Sequence, residues 1–314
     1  MSIELLIVIA FGVDLLFGDP PWLPHPVRLI GYLAGKAEWF CRRLLGDGST
    51  AGFFTVLLVL GISGAGVWGV LALGKAIHPL VGYFLAVYLF YTTFALKDLV
   101  RHSGAVHDAL VKGDIDLARK RVAMIVGRDT GQLDSEGVSR ACVESVAENL
   151  VDGVTAPMFW AVVGGPIGAM LYKAVNTMDS MFGYKNAKYC KFGLVPARLD
   201  DLVNYLPARI TALIVVVISG VLGFDSAGAW RVWRRDRKKH ASPNSAQTEA
   251  AFAGALGLRM GGPNYYFGSL VEKPYIGDLS TSARPDQILA ANRLMSATAV
   301  VCLLIFTVLR LLCS

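Results

Sequence analysis

Three runs without a single charged side chain constrain this chain most. Residues 52–73, 76–96 and 153–172 contain no Asp, Glu, Lys or Arg, and at 1.5 Å per residue each can cross a hydrocarbon core of ~30 Å. A backbone in lipid finds no water to bond, so only helices and closed barrels span a membrane. Runs of ~20 residues, rather than the ~10 of a barrel strand, select helices. Shorter apolar runs near both ends and at 210–224 raise the number of segments to about six. The composition agrees: 54% of the 314 residues are hydrophobic and only 17% charged, too apolar for an ordinary soluble domain. The expected fold is therefore all-α. It is a polytopic helical integral membrane protein with five to six apolar segments (near 3–18, 52–73, 76–96, 153–172, 207–224 and 294–312). Two large polar, partly helical loops complete a single domain over 1–314.

The formal charge of +6 suits anionic headgroups or phosphorylated substrates, and no basic, aromatic-interleaved surface argues for nucleic acid. Five cysteines without a C-x-x-C pair indicate neither a disulfide framework nor a zinc site. The first apolar run carries Glu4 and Asp14 and no basic leader, so it reads as a retained membrane segment.

Four prolines between positions 20 and 26 forbid regular helix and stiffen a strip that presents Asp19, His25 and Arg28. Runs 52–73 and 76–96 form a helical hairpin turning at Lys75, His78 and Pro79. Gly61, Gly64, Gly66 and Gly69 stand on its first arm at spacings that permit close helix approach, and His78 reads as interfacial. In the first polar region, Leu117, Val122 and Ile125 interleave with Arg119, Lys120 and Arg121 as in an amphipathic helix, and 127–131 reads as a loop.

A polar helix follows. Glu144, Glu148 and Asp152 recur every four residues beside Asn149, so their side chains share one strip of a helix face. Like charges at that spacing cost roughly a few tenths of a kcal/mol per pair in an isolated helix, so a cation, an arginine or a bound ligand outside the helix is expected to offset them. A solvated face with Arg140 as partner is the plainer alternative. The next apolar run is interrupted at Gly164, Gly165 and Pro166, which either break a spanning helix or turn it back; broken helices at that depth line polar cavities.

Beyond it stand Asn176 and Asp179, then Asp200 and Asp201, whose pairing suits magnesium, a hard cation that takes one or two carboxylates together with phosphates. Six basic residues between 231 and 239, with Trp230 and Trp233, mark a cytoplasmic interfacial helix. Ser242 followed by Pro243 has the order of an N-cap and first helical residue. The helix of small residues after it, ending near Gly261 and Gly262, would offer its N-terminal amides to a phosphate or carboxylate.

These stretches together resemble the adenosylcobinamide-phosphate synthase, or cobinamide synthase, family of cobalamin-biosynthesis membrane proteins (CbiB/CobD). The resemblance is carried by Gly18, Asp19 and Pro20 with His25 and Arg28; Gly127, Arg128, Asp129 and Thr130; Glu144, Glu148, Asn149 and Asp152; Asn176 to Met181 with Gly183 and Lys185; Asp200, Asp201 and Arg209; and Ser242, Asn244, Asn264 and Tyr265. It implies an enzyme that joins (R)-1-aminopropan-2-ol or its O-phosphate to the free propionate of adenosylcobyric acid, with ATP and Mg2+. It further implies His25, Glu148 and Asp179 as catalytic, with His25 as general base. Glu144, Glu148, Asp152, Asp179, Asp200 and Asp201 would hold metal. Asp19, Arg28, Asn149, Asn176, Lys185, Arg209, Ser242, Asn244, Asn264 and Tyr265 would bind substrate. The expected setting is the cell membrane, multi-pass, with the active site facing the cytoplasm; the lipid bilayer is a partner, nucleic acid is not, and a homo-oligomer or association with other cobalamin-assembly membrane proteins stays open. The other reading is a non-enzymatic corrinoid-transport component or a sensor like AmpE.

Overall fold

The computed structural model describes residues 1–184, 186–278 and 282–313. Its described residues form helices α1 (Ile3–Phe17), α2 (Pro26–Leu45), α3 (Ser49–Ile77), α4 (Pro79–Tyr91), α5 (Leu96–Val111), α6 (Ile115–Val122), α7 (Ser135–Leu150), α8 (Ala156–Phe182), α9 (Leu194–Val203), α10 (Tyr205–Val221), α11 (Ser226–Asp236), α12 (Ser245–Leu256) and α13 (Pro285–Cys313). A π-turn at Val151–Thr155 follows α7, and four short strands, β1 (Met260–Gly261), β2 (Asn264–Tyr266), β3 (Ser269–Val271) and β4 (Tyr275–Ile276), precede α13. The all-helical reading holds. Four helical stretches are long and apolar enough to cross a membrane, Ser49–Ile77, Pro79–Val111, Ser135–Phe182 and Pro285–Cys313, and a fifth if α9 and α10 are one broken span. At 15 residues, α1 reaches only about 22 Å at 1.5 Å per residue.

The chain divides into two compact units that alternate in sequence: residues 1–95, 156–204 and 305–314, and residues 96–155 and 205–304.

In the first unit, small residues of α2 and α3 (Ala34, Ala37, Ala51) pack with Met170, Met178, Phe182 and Phe192 in one buried cluster. Pro26 opens α2 at its first turn, where proline's missing N–H costs nothing. The α3–α4 hairpin turns at His78, whose Nδ1 accepts the Leu80 N–H at 3.2 Å. Of the four glycines expected to permit close approach, only Gly64 stands against protein, where a Cβ would lie 3.5 Å from Leu171 in ordinary contact; Cβ atoms at Gly61, Gly66 and Gly69 would meet nothing within 4 Å. Gly52 does that work, its missing Cβ being replaced by the Phe192 carbonyl, and so does Gly74, where a Cβ would stand 2.5 Å from Leu85. Gly61, Gly66 and Gly69 have open space beside them, where glycine spacing has no partner to act on.

Helix α8 is broken, as Gly164, Gly165 and Pro166 suggested. Gly165 takes φ 62°, a left-handed conformation open to glycine. Pro166 has no N–H to give the carbonyl four residues back, which is that of Val162. Arg310 supplies the missing donor, bonding Val162 O through Nη1 and Glu4 through Nε at 2.9 Å.

In the second unit, α7 begins at Asp134, whose carboxylate accepts the Gly137 N–H at 2.7 Å, an N-cap. α11 and α12 approach where Gly228 meets Gly254; a Cβ on Gly254 would lie 2.6 Å from the Gly228 carbonyl carbon. Trp233 of α11 donates its Nε1–H to Gln247 of α12 at 3.0 Å. The strands pair as two antiparallel ribbons, Met260 with Ile276 and Gly261 with Tyr275, and Asn264 with Val271 through Tyr266 with Ser269.

Two expectations about α12 are corrected. The helix starts at Ser245 with Asn244 at the N-cap position and no side-chain cap. The Ser242 hydroxyl instead accepts the Asn244 N–H at 3.3 Å, a local turn that competes with capping. The helix also ends earlier than the Gly261–Gly262 pair, at Leu256, because Gly257 at φ 65° closes it in the left-handed region.

Candidate functional site

Charged side chains gather in the second unit around two buried glutamates, Glu144 and Glu249, at a place built by α7, α12, the 127–131 loop and the β2–β3 ribbon. The four-residue spacing of α7 aims Glu144 and Glu148 the same way. Glu144 is buried, and both its oxygens are used: Oε2 pairs with Arg128, and Oε1 accepts the Gly261 N–H at 2.6 Å. Arg128 also reaches Asn264 Oδ1 at 3.1 Å, and the Asn264 amide returns to Gly262 O at 2.9 Å. Burial works to discharge Arg128, but the Glu144 carboxylate outweighs it and keeps the guanidinium charged. The arginine expected to offset the acidic strip is thus Arg128, not Arg140.

The next residue explains why this loop is held. Asp129 accepts the N–H groups of Phe267 (3.3 Å) and Gly268 (2.7 Å), the turn of the β2–β3 ribbon, where both residues have positive φ. Tyr265, otherwise exposed, lends its carbonyl to the Asp129 N–H at 2.8 Å.

One turn further along α7, Glu148 accepts the Ser245 hydroxyl at 3.0 Å. From α12, Glu249 is turned inward and buried. Burial is the first cause that lifts its carboxyl well above the usual range, the charges of Glu148 and Glu144 add to it, and Lys273 and Arg128 oppose. Lys273 donates to the Tyr266 hydroxyl at 2.5 Å. His240 completes the group. Burial holds its ring below the ordinary histidine range, and its Nδ1 accepts the Ser242 N–H at 3.1 Å, so the neutral ring carries its proton on Nε2.

At the start of α12, Arg209 donates to Asn244 Oδ1 at 3.2 Å and lies 3.4 Å over the Tyr205 ring, joining two residues expected to bind substrate. Asn149 turns back on its own helix, to Ser145 O at 2.9 Å. Asp152 is half-buried in the π-turn.

The remaining expected residues belong to the first unit. His25 Nε2 lies 3.3 Å from Asp19 Oδ1 across the proline strip, and Arg28, in the first turn of α2, reaches back to Pro21 O at 3.3 Å. Tyr88 and Tyr91 anchor it through the carbonyls of Pro24 and Gly18. His25 borders an apolar cavity of ≈ 660 Å³ flanked by Tyr32, Lys36 and Tyr88. Asp200 is buried and accepts amide donors from Asn204 (3.0 Å) and Asn176 (3.5 Å), while Tyr172 donates to Asn204 at 2.9 Å. Asp201 and Asp179 are half-buried. Lys185 lies outside the described residues.

Among the described residues no group of three or more His, Cys, Asp or Glu side chains is placed to hold a metal ion. Reading by residue missed Glu249, His240 and Lys273. Glu249 left a signal: a glutamate inside a run of alanines is a charge in a segment that packs on all sides, and buried glutamates need a purpose.

A family model described as CobD/Cbib protein matches residues 7–295. The chain is 48% identical over 294 residues to cobalamin biosynthesis protein CobD of Leptospira interrogans, covering 94% of this chain and 93% of that one. The corresponding protein of Desulfotalea psychrophila is 46% identical over 319 residues (97% of each), and that of Klebsiella pneumoniae 44% over 301 (95% and 94%). No solved structure matches. By its near-complete match to the family model and to these relatives, this chain belongs to the CobD/Cbib protein family.

Proposed function

We propose that this protein is a membrane-embedded enzyme of cobalamin biosynthesis that forms an amide between the free propionate of adenosylcobyric acid and (R)-1-aminopropan-2-ol or its O-phosphate, at the expense of ATP. Family membership supports the pathway. The observation that carries the chemistry is the gathering of Arg128, Glu148, His240 and Lys273, each partly buried, around the buried Glu144 and Glu249, charges that a membrane scaffold has no structural need to collect.

A carboxylate is a poor acyl donor, so ATP converts it to an acyl phosphate, which the neutral amine attacks with loss of phosphate. Groups that meet phosphate must be cationic or donate N–H. Lys273, Arg209 and the Nε2–H of His240 have that character, and the first amides of α12 add to it. Arg128 is tied to Glu144 and acts by keeping that carboxylate and the Gly261 turn in place. Magnesium fits this set as an ion that arrives with nucleotide and keeps phosphate oxygens and water in most of its shell; Glu148 is the carboxylate that would meet it, since both Glu144 oxygens are engaged, and it would supply charge neutralisation. In the first unit, the roles of His25 as proton acceptor, Asp19 and Arg28 as its neighbours at the substrate, and Asp179 rest on the resemblance. A cytoplasmic site rests on the basic α11.

The test is an amide-forming assay on membranes containing the protein, with adenosylcobyric acid, ATP, magnesium and either amine. An adenosylcobinamide product that requires every component is expected, and Glu148→Gln should lose it while still inserting. No product with either amine from inserted protein would move the reading to transport or sensing.

A further inference from the structure

We propose that Glu249 is the subsite for the protonated amine of the aminoalcohol; this rests on the amide-forming reading above. Glu249 is only 7% exposed, and among the described residues no hydrogen bond or ion pair meets its carboxylate. A buried carboxylate in that state is costly and calls for a cationic partner.

The local charge count says what kind. Glu144 and Glu148 are matched by Arg128 and Lys273, with His240 neutral, so the ionised form of Glu249 carries a charge in excess and needs a cation from outside. The pairing is also uneven. Arg128 is committed to Glu144, and Lys273 is held by Tyr266, donating to its hydroxyl and lying 4.5 Å over its ring. Glu249 is left as the carboxylate without a cation of its own.

The missing group is monovalent rather than a resident divalent metal. Magnesium demands near-octahedral oxygen coordination, whereas here Glu144 has both oxygens bonded to protein donors and Glu148 holds Ser245. A primary ammonium asks for less, since one carboxylate and a few acceptors satisfy its three N–H groups. α12 sets the placement, because its alanines pack on every side and fix the Glu249 side chain against a rigid helix. An ammonium held there must give up one proton before it attacks an acyl phosphate, and the adjacent Glu249 carboxylate is placed to take it, becoming the carboxylic acid as the amine becomes neutral.

The experiment uses the full chain in nanodiscs, as wild type, Glu249→Gln and Glu249→Asp. Calorimetry with 1-aminopropan-2-ol should show binding to wild type, weakening of roughly 10- to 100-fold in Glu249→Gln, the size of one charged hydrogen bond, and a smaller loss in Glu249→Asp. In turnover, KM for the aminoalcohol should rise by a similar factor. Hydroxylamine, uncharged near neutral pH, serves as the second nucleophile: its hydroxamate yield should fall far less, so the ratio of the two rates changes at least tenfold. Equal loss with both nucleophiles, an unchanged KM, or a shift in the magnesium dependence in place of the amine dependence would overturn the proposal, as would wild type that binds no aminoalcohol. Wild type that binds the aminoalcohol yet forms neither amide nor hydroxamate would refute the amide-forming reading while leaving the subsite standing.

Discussion

Replacing Arg128 by Met tests whether the 127–131 loop and the β1–β2 region depend on one buried ion pair. The Glu144 side chain is 5% exposed and that of Arg128 12%, well inside the range where water no longer screens the pair. Removing the guanidinium leaves a buried carboxylate with a single donor, the Gly261 N–H at 2.6 Å, and leaves Asn264 without its partner on that side. Breaking a buried pair from one end costs about 3–5 kcal/mol, against about 0–1 kcal/mol for an exposed pair. The cost falls locally, because Gly261 and Asn264 hang on it. Hydrogen exchange in nanodiscs reads it directly: at about 1.4 kcal/mol per tenfold, protection at Gly261 and Asn264 should drop roughly a hundredfold or more. Converting both partners, Arg128→Met with Glu144→Met, removes the stranded charge, so protection should recover most of the way. A drop below about threefold in the single variant, or a double variant as unprotected as the two singles added together, would refute the reasoning.

The other expectations follow from single contacts. Gly52→Ala drives a Cβ into the Phe192 carbonyl and should lower thermal stability in detergent by ~1–3 kcal/mol as an overpacking change, whereas Gly61→Ala, with open space around it, should be neutral or gain up to about 1 kcal/mol. Burial disfavours the charge on Asp236, but hydrogen bonds from Arg235, Lys239 and the Gly277 N–H outweigh it and hold its carboxyl below the usual range. A folded-state depression stabilises above the unfolded carboxylate range and is lost as pH falls through the folded value. Asp236→Asn should therefore destabilise the second unit equally from pH 5 to 8, and a pH-dependent difference inside that window would contradict the arrangement. Arg310→Met leaves the Val162 carbonyl unmet and takes the cation from Glu4, which keeps its Ser2 and backbone donors; the expected loss is about 1–3 kcal/mol, and adding Glu4→Gln should recover little of it, since the carbonyl stays unmet.

What the sequence made legible was whatever physics imposes over short range. Uncharged runs of spanning length located α3, α4 and the start of α8, because no alternative satisfies a backbone in lipid. Prolines at 20, 21, 24 and 26 placed Asp19 and His25 on one strip, and spacing aimed Glu144 and Glu148 together. The failures are of a different kind. Ser242 before Pro243 has the order of a cap, but a serine has two local donors to choose from, and only the fold decides that Asn244 takes its oxygen. The glycines of α3 show the same limit: spacing says that a face is small, not that anything stands opposite. Lys273 and Glu249 are 24 residues apart and Arg128 and Glu144 16; no periodicity links such pairs, so the cluster became visible only in three dimensions.

The broken helix α8 and the buried cluster of the second unit obey one rule. In each, a polar group that the local backbone cannot satisfy is met by a charge from a distant part of the chain: Arg310 supplies the bond that Pro166 withholds from Val162, and Arg128 supplies the cation that the strip on α7 requires. A span interrupted by proline would otherwise expose a bare carbonyl to hydrocarbon, and two stacked glutamates would otherwise expel each other. Where the supply is complete, as at Glu144 with its two donors, the group is structural. Where it is incomplete, as at Glu249, the fold has built a charged position and left its counterpart to come from outside. The distinction separates scaffold from site among residues that composition and spacing treat alike, and it directs mutagenesis to Glu249 ahead of the more conspicuous Glu144.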